Sequence, residues 1–169
     1  QSVVAHGNYL YVLDTANPMF KGLIAEPRVY VYDLKSNKLP KIYTFPPSVV
    51  KNNSYTNDLR IDDKKSKIYF TDSGAAGLII LDLKTGQFTR ALDNHPYTKA
   101  EFNYLTINGT EWKNTINADG IALDNKNDIL YIHALTGYML YGIKTNDLLN
   151  PKALKNTKPF LMKTRAPDG

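Results

Sequence analysis

Apolar residues in this chain come in short runs rather than long amphipathic stretches. Lys67–Asp72 (KIYFTD) and Leu78–Leu83 (LIILDL) are apolar at consecutive positions, and each is bounded by turn residues such as Ser73-Gly74 and Lys84-Thr85-Gly86. Short runs flanked this way read as β-strands. The lack of alternation means that both faces of the strand are covered. The same reading along the whole chain predicts strands at Ser2–Val4, Tyr9–Asp14, Arg28–Asp33 and Lys41–Phe45. A second set falls at Asn57–Asp62, Lys67–Asp72, Leu78–Leu83 and Gln87–Leu92. A third falls at Asp119–Asp124, Asp128–His133, Tyr138–Ile143 and Pro159–Thr164, with one helical turn expected near Thr145–Leu149.

These sets repeat one another. Tyr69 aligns with Tyr131, Asp62 with Asp124 and Asn57 with Asp119, while Tyr11 aligns with Tyr69 and Asp14 with Asp72. The spacing is 58 residues from Tyr11 to Tyr69 and 62 from Tyr69 to Tyr131, which suits a four-stranded propeller blade with long connections. Each blade's sheet lies between two neighbouring sheets, which accounts for strands apolar on both faces. The chain is therefore expected to be all-β, with blades over residues 2–46, 56–92 and 118–165 and an insertion over 93–117. Pro167-Asp168-Gly169 echoes Ala118-Asp119-Gly120, so residues 166–169 read as the start of a further blade. Three blades are too few to close a ring, and the expectation is a piece of a longer protein. The unpaired outer sheets, with Val29, Val31 and Met139 taken as their open-face residues, would meet either the remaining blades or a second copy.

Composition changes this picture little. Twelve Tyr favour strands. The absence of Cys removes disulfide and thiolate chemistry, and no apolar run is long enough to span a membrane. The net charge of +5 comes from dispersed Lys and from turn clusters such as Lys64-Lys65-Ser66-Lys67. Such charge is solvated turn surface; a nucleic-acid site would concentrate it beside stacking aromatics or a recognition helix.

Several phrases resemble, in order, segments of the yellow / major royal jelly protein family: YLYVLDTANP, SYTNDLRID, KIYFTDSGAAGLIILDLKTGQ, NHPYTKAEFNYLTINGTEW and NADGIALDNKNDILYIHALTGYMLYGIKTNDL. The resemblance covers nearly the whole chain. It implies a six-bladed β-propeller of which this chain supplies about half. It also implies a secreted or periplasmic protein, and the missing cysteines suggest a bacterial member. Within the family, some members bind biogenic amines, some are structural, and some are credited with converting dopachrome-type pigment precursors.

Asn57, Asp119 and Asp168 occupy equivalent repeat positions at the start of the innermost strands, which converge at one mouth of a propeller channel. Their oxygens could hold Ca²⁺, a hard cation taking six to eight oxygen ligands; lactonase-type propellers hold a catalytic metal in this kind of place. They could also bind a small ligand, or cap the inner strands through local hydrogen bonds. Asp14 and Asp72 end second strands and are assigned to turn hydrogen bonding. His6, His95 and His133 are too scattered to form a metal motif. Asn52-Asn53-Ser54 and Asn108-Gly109-Thr110 match glycosylation sequons, which carry no meaning in a bacterial protein. The insertion carries Tyr97, Phe102, Tyr104 and Trp112; with Met19 and Phe20 from the long loop after Asp14, they offer an apolar wall for a flat ligand. The readings are a binder of a small aromatic or amine ligand, a metal-dependent lactonase-like hydrolase or dopachrome-type isomerase, and a structural protein without ligand.

Overall fold

A computed structural model describes residues 2–148, 150–156, 158 and 160–163. It contains three four-stranded antiparallel sheets and one separate hairpin. The first sheet is β1 (Val3–His6), β2 (Tyr9–Asp14), β3 (Arg28–Asp33) and β4 (Lys38–Thr44). The second is β5 (Thr56–Asp62), β6 (Lys67–Asp72), β7 (Gly77–Asp82) and β8 (Phe88–Ala91). The hairpin, β9 (Tyr104–Ile107) and β10 (Thr110–Lys113), lies in the insertion. The third sheet is β11 (Ala118–Asp124), β12 (Ile129–Ala134), β13 (Met139–Lys144) and β14 (Phe160–Lys163). Two one-turn helices, α1 (Thr145–Leu148) and α2 (Pro151–Leu154), connect β13 to β14. Strands in each sheet follow chain order, as in a propeller blade.

Three of the differences from the sequence expectation have a plain local cause. The β9–β10 hairpin turns on Asn108 and Gly109, both with positive φ, the two-residue turn that matches strand twist. The α2 turn begins at Pro151 behind the Asn150 side chain, which accepts from the Lys152 and Ala153 amides. β1 runs to His6 because a two-residue turn, Gly7-Asn8, joins it to β2. The corresponding turn in the second sheet has four residues, 63–66.

Side chains alternate between the faces of a strand, and this splits each blade's apolar residues between two cores. Ile68 and Phe70 of β6 face the first blade and pack with Tyr11, Leu13, Val29 and Val31. Tyr69, between them, faces the third blade and packs with Leu130, Ile132 and Ile143. Tyr11 and Tyr69 thus each point at the next blade. Tyr131 does the same, but on the outer side of the third blade, where it lies over Gly142 and lines a cavity of about 330 Å³ with Ile121, His133 and Leu140. Val29 and Val31 are buried against the second blade rather than open. Alternation along β13 turns Met139 the same way as Ile143, towards the second blade. The open-face assignment was wrong because strands apolar on both sides do not reveal which side is inner.

Candidate functional site

The strand registers bring five connections to one end of the blades: residues 15–27, 45–55, 73–76, 92–117 and 135–138. The starts of β5 and β11 lie at this end. Each start carries a bulge. Between the Thr56–Asp72 and Leu59–Phe70 pairs, Asn57 and Asp58 oppose the single residue Thr71. Between the Ala118–Ala134 and Gly120–His133 pairs, Asp119 is the extra residue. The two bulges sit at the same repeat position, and a bulge re-aims the side chains it carries.

Asn57 and Asp119 come together, the Asn57 Nδ2 donating to Asp119 Oδ1. The Asp119 carbonyl accepts from Thr71 Oγ1 at 2.9 Å, which fixes the bulge against β6. Beside them, Asp58 accepts from Ser2 Oγ at 2.5 Å, from the Leu59 amide at 2.7 Å and from Arg60 Nη1 at 2.8 Å. Burial pushes the Asp119 carboxyl above the ordinary aspartate range, and the neighbouring Asp58 carboxylate adds to the shift. Arg60 already pairs with Asp58, so a further positive charge at this end acts chiefly on the half-buried Asp119 carboxyl.

The aromatic part is assembled by the loop after β2. Met19 and Phe20 both have left-handed backbone (φ 56° and 57°), a conformation costing about 1–2 kcal/mol per non-glycine residue. Buried Asn17 holds this turn: its Nδ2 donates to the Ser54 carbonyl and its Oδ1 accepts from the Gly22 amide, both at 2.8 Å. The turn lays Phe20 on Tyr55 with ring centroids 3.8 Å apart and planes 5° from parallel, and leaves Met19 80% exposed. Trp112 stands apart on β10, opposite Leu105 in the hairpin and 42% exposed. Asp168 lies outside the described residues. Of the five candidates, then, Asn57 and Asp119 meet, and Phe20 stacks on the residue two before Asn57.

Under this layer lies a polar hub that the sequence did not reveal. Asp72, completely buried, accepts from Ser54 Oγ (2.6 Å), the Tyr55 amide (2.9 Å), the Ala75 amide (3.0 Å) and Arg90 Nη1 (2.9 Å). Arg90 also donates to the carbonyls of Val49 and Ala75 and to Asp93. Gly77 makes room for it, since a Cβ there would lie 2.4 Å from the guanidinium. Asp14 bonds the Ala16 amide in its own turn. Both aspartates therefore do the turn hydrogen bonding expected of them, and Asp72 also seats Tyr55. Arg90 carried no repeat signal, because neither other blade has a basic residue matched to it.

His6 pairs with Asp63 across the first two blades at 2.6 Å. His95 packs on Tyr97, and His133 lines the open-side cavity with its pKa lowered by burial, which nearby Glu101 partly opposes. Among the described residues, no group of three or more His, Asp or Glu side chains could hold a metal ion. Asn57 and Asp119 alone fall well short of the six to eight oxygens Ca²⁺ takes.

A family model described as Major royal jelly protein matches residues 3–164. Major royal jelly protein 3 of Apis mellifera is 26% identical over 158 residues, an alignment covering 89% of this chain and 29% of that protein. This chain thus spans less than a third of that relative's length. Among solved structures, the fold is similar to a chain of the Kuenenia stuttgartiensis hydrazine synthase (TM-score 0.55, 14% identity, 90% of this chain and 40% of that one). It is also similar to a chain of a nidogen/laminin complex (TM-score 0.51, 11% identity, 83% and 40%). At these identities the likeness concerns the β-propeller fold alone.

Proposed function

This chain belongs to the major royal jelly protein family, and we propose that it binds a small aromatic amine at the channel mouth formed by Asn57 and Asp119. The observation that carries the reading is the bulge repeated in the second and third blades, which brings Asn57 and Asp119 together and sets the Asp119 carboxyl beside the Asp58 carboxylate. An ammonium group relieves that repulsion, while the Phe20–Tyr55 stack on the same end offers a face for an aromatic ring. Further blades of the same ring, or a second copy, complete the mouth. In keeping with its family, the protein works in the secreted or periplasmic space; no helix among the described residues is long and apolar enough to cross a membrane.

Calorimetric titration with tyramine and with its uncharged analogue 4-hydroxyphenylethanol tests the reading. Tyramine is expected to bind roughly ten-fold or more tightly than the analogue, and Asp119→Asn should remove the difference. Acidification should weaken tyramine binding at a pH above that at which an ordinary aspartate protonates, because the Asp119 pKa is raised. Equal binding of the two compounds, or binding of neither, would overturn the proposal. Heat released by CaCl₂ and lost in Asp119→Asn would assign the mouth to a hard cation instead.

A further inference from the structure

Two hydroxyls within the described residues are buried without a protein partner: those of Thr15 and Thr56. Thr15 is 1% exposed and Thr56 is fully buried, so bulk water reaches neither. An unpaired buried hydroxyl is costly, and native structures almost always supply it with a partner.

The repeat shows how the two are placed. Thr15 follows Tyr11 by four residues, as Ser73 follows Tyr69. Thr56 opposes the last residue of β6, as Ala118 opposes the last residue of β12. At the junction of the second and third blades, Ser73 Oγ donates directly to the Ala118 carbonyl at 2.9 Å. At the junction of the first and second blades, Thr15 takes the place of Ser73 and Thr56 that of Ala118. The direct bond is not made there, and Thr56 adds a hydroxyl where Ala118 has only a methyl.

We propose that a single internal water molecule is bound at the first junction, bridging the Thr15 and Thr56 hydroxyls. Each hydroxyl can both donate and accept. The Thr56 carbonyl, counterpart of the Ala118 carbonyl that Ser73 bonds, supplies a third partner. About three hydrogen bonds to otherwise unpaired groups is the usual setting of a buried water. The water does at the first junction what the serine hydroxyl does alone at the second.

A crystal structure at a resolution that shows ordered water should place one within hydrogen-bond distance of both Oγ1 atoms. Thermal unfolding supplies a test whose sign decides. If the water bridges the pair, Thr15→Val and Thr56→Val each leave it short of a partner. Each should then lower the melting temperature by roughly 2–4 °C, and the double variant should lose less than the two shifts added. If the hydroxyls are simply unpaired, each valine removes a buried polar group at constant shape and raises the melting temperature. Rising values, or a refined structure without water between the two threonines, would overturn the proposal.

Discussion

The two junctions between blades are built from the same repeat yet closed differently. The first is closed chiefly by apolar volume: Phe45, Phe70 and Phe88 meet with centroids 4.9 and 4.7 Å apart around Phe45, joined by Leu13, Val29 and Ile79. Its polar ties, Ser2 to Asp58, His6 to Asp63 and Asn17 to Ser54, run near the rims. Among the described residues, the core of the second junction includes no Phe, and this junction is laced instead by hydrogen bonds. Ser73 and Thr71 bond β11 carbonyls, Asn117 bonds the Ser73 and Gly74 carbonyls, and Lys64 and Lys65 reach Asn125 and Thr145. One blade-to-blade geometry therefore accepts either aromatic filling or a polar lattice, provided each buried donor is met.

The contrast makes a ranking. Phe70→Ala should be the most damaging change, because it empties the aromatic centre of the first junction; a loss of about 3–5 kcal/mol is expected by denaturant unfolding. Leu130→Ala in the second junction should cost less, and the reverse order would break the comparison. Asp72→Asn comes next, at about 2–3 kcal/mol, since it removes the charge that Arg90, Ser54 and two backbone amides share. Its local signature should be a change in the near-ultraviolet signal of Tyr55, which loses its seat.

Tyr69→Phe tests the lattice of the second junction. The Tyr69 hydroxyl donates to Asp62 Oδ2 at 3.2 Å, so its loss should cost about 1 kcal/mol. A neutral outcome would mean that the ring alone matters there. The smallest effect has the opposite sign. The folded pKa of Asp119 lies above its unfolded value, so its contribution favours the fold at low pH and fades as pH rises through the folded pKa. Asp119→Asn should therefore raise the melting temperature slightly at pH 7.5 and leave it unchanged near pH 3. A fall at pH 7.5 would show that the carboxylate is needed by its neighbours.

Much of the architecture could be read from residues that repeat. Tyr11, Tyr69 and Tyr131 mark second strands at one register, and the unbroken apolar run Leu78–Leu81 announced a sheet covered on both faces. The equivalence of Asn57 and Asp119 could be read from the repeat, whereas the hydrogen bond that joins them is a contact between blades that only the structure displays. What escaped was of two kinds. The Asn108-Gly109 hairpin has a clear turn signal, but it stands inside the insertion and outside the repeat that predicts the other strands. The Asp72–Arg90 hub and the Phe20–Tyr55 stack depend on contacts between distant segments, and no spacing within one blade encodes them. The facing of Val29 and Val31 failed for a related reason: where both sides of a strand are apolar, only the neighbouring sheet says which is which.

The bulge that opens β5 and β11 also separates two kinds of constraint. In the second and third blades it re-aims Asn57 and Asp119 while leaving the flanking pairs, Thr56 with Asp72 and Ala118 with Ala134, in register. The polar groups shown at this end of the second and third blades are therefore carried by the bulge residues, apart from the apolar side chains that fill the two cores. Blades built this way can exchange the chemistry they display at that end by single substitutions, an amide for a carboxylate or either for a hydroxyl, without repacking the apolar cores between them.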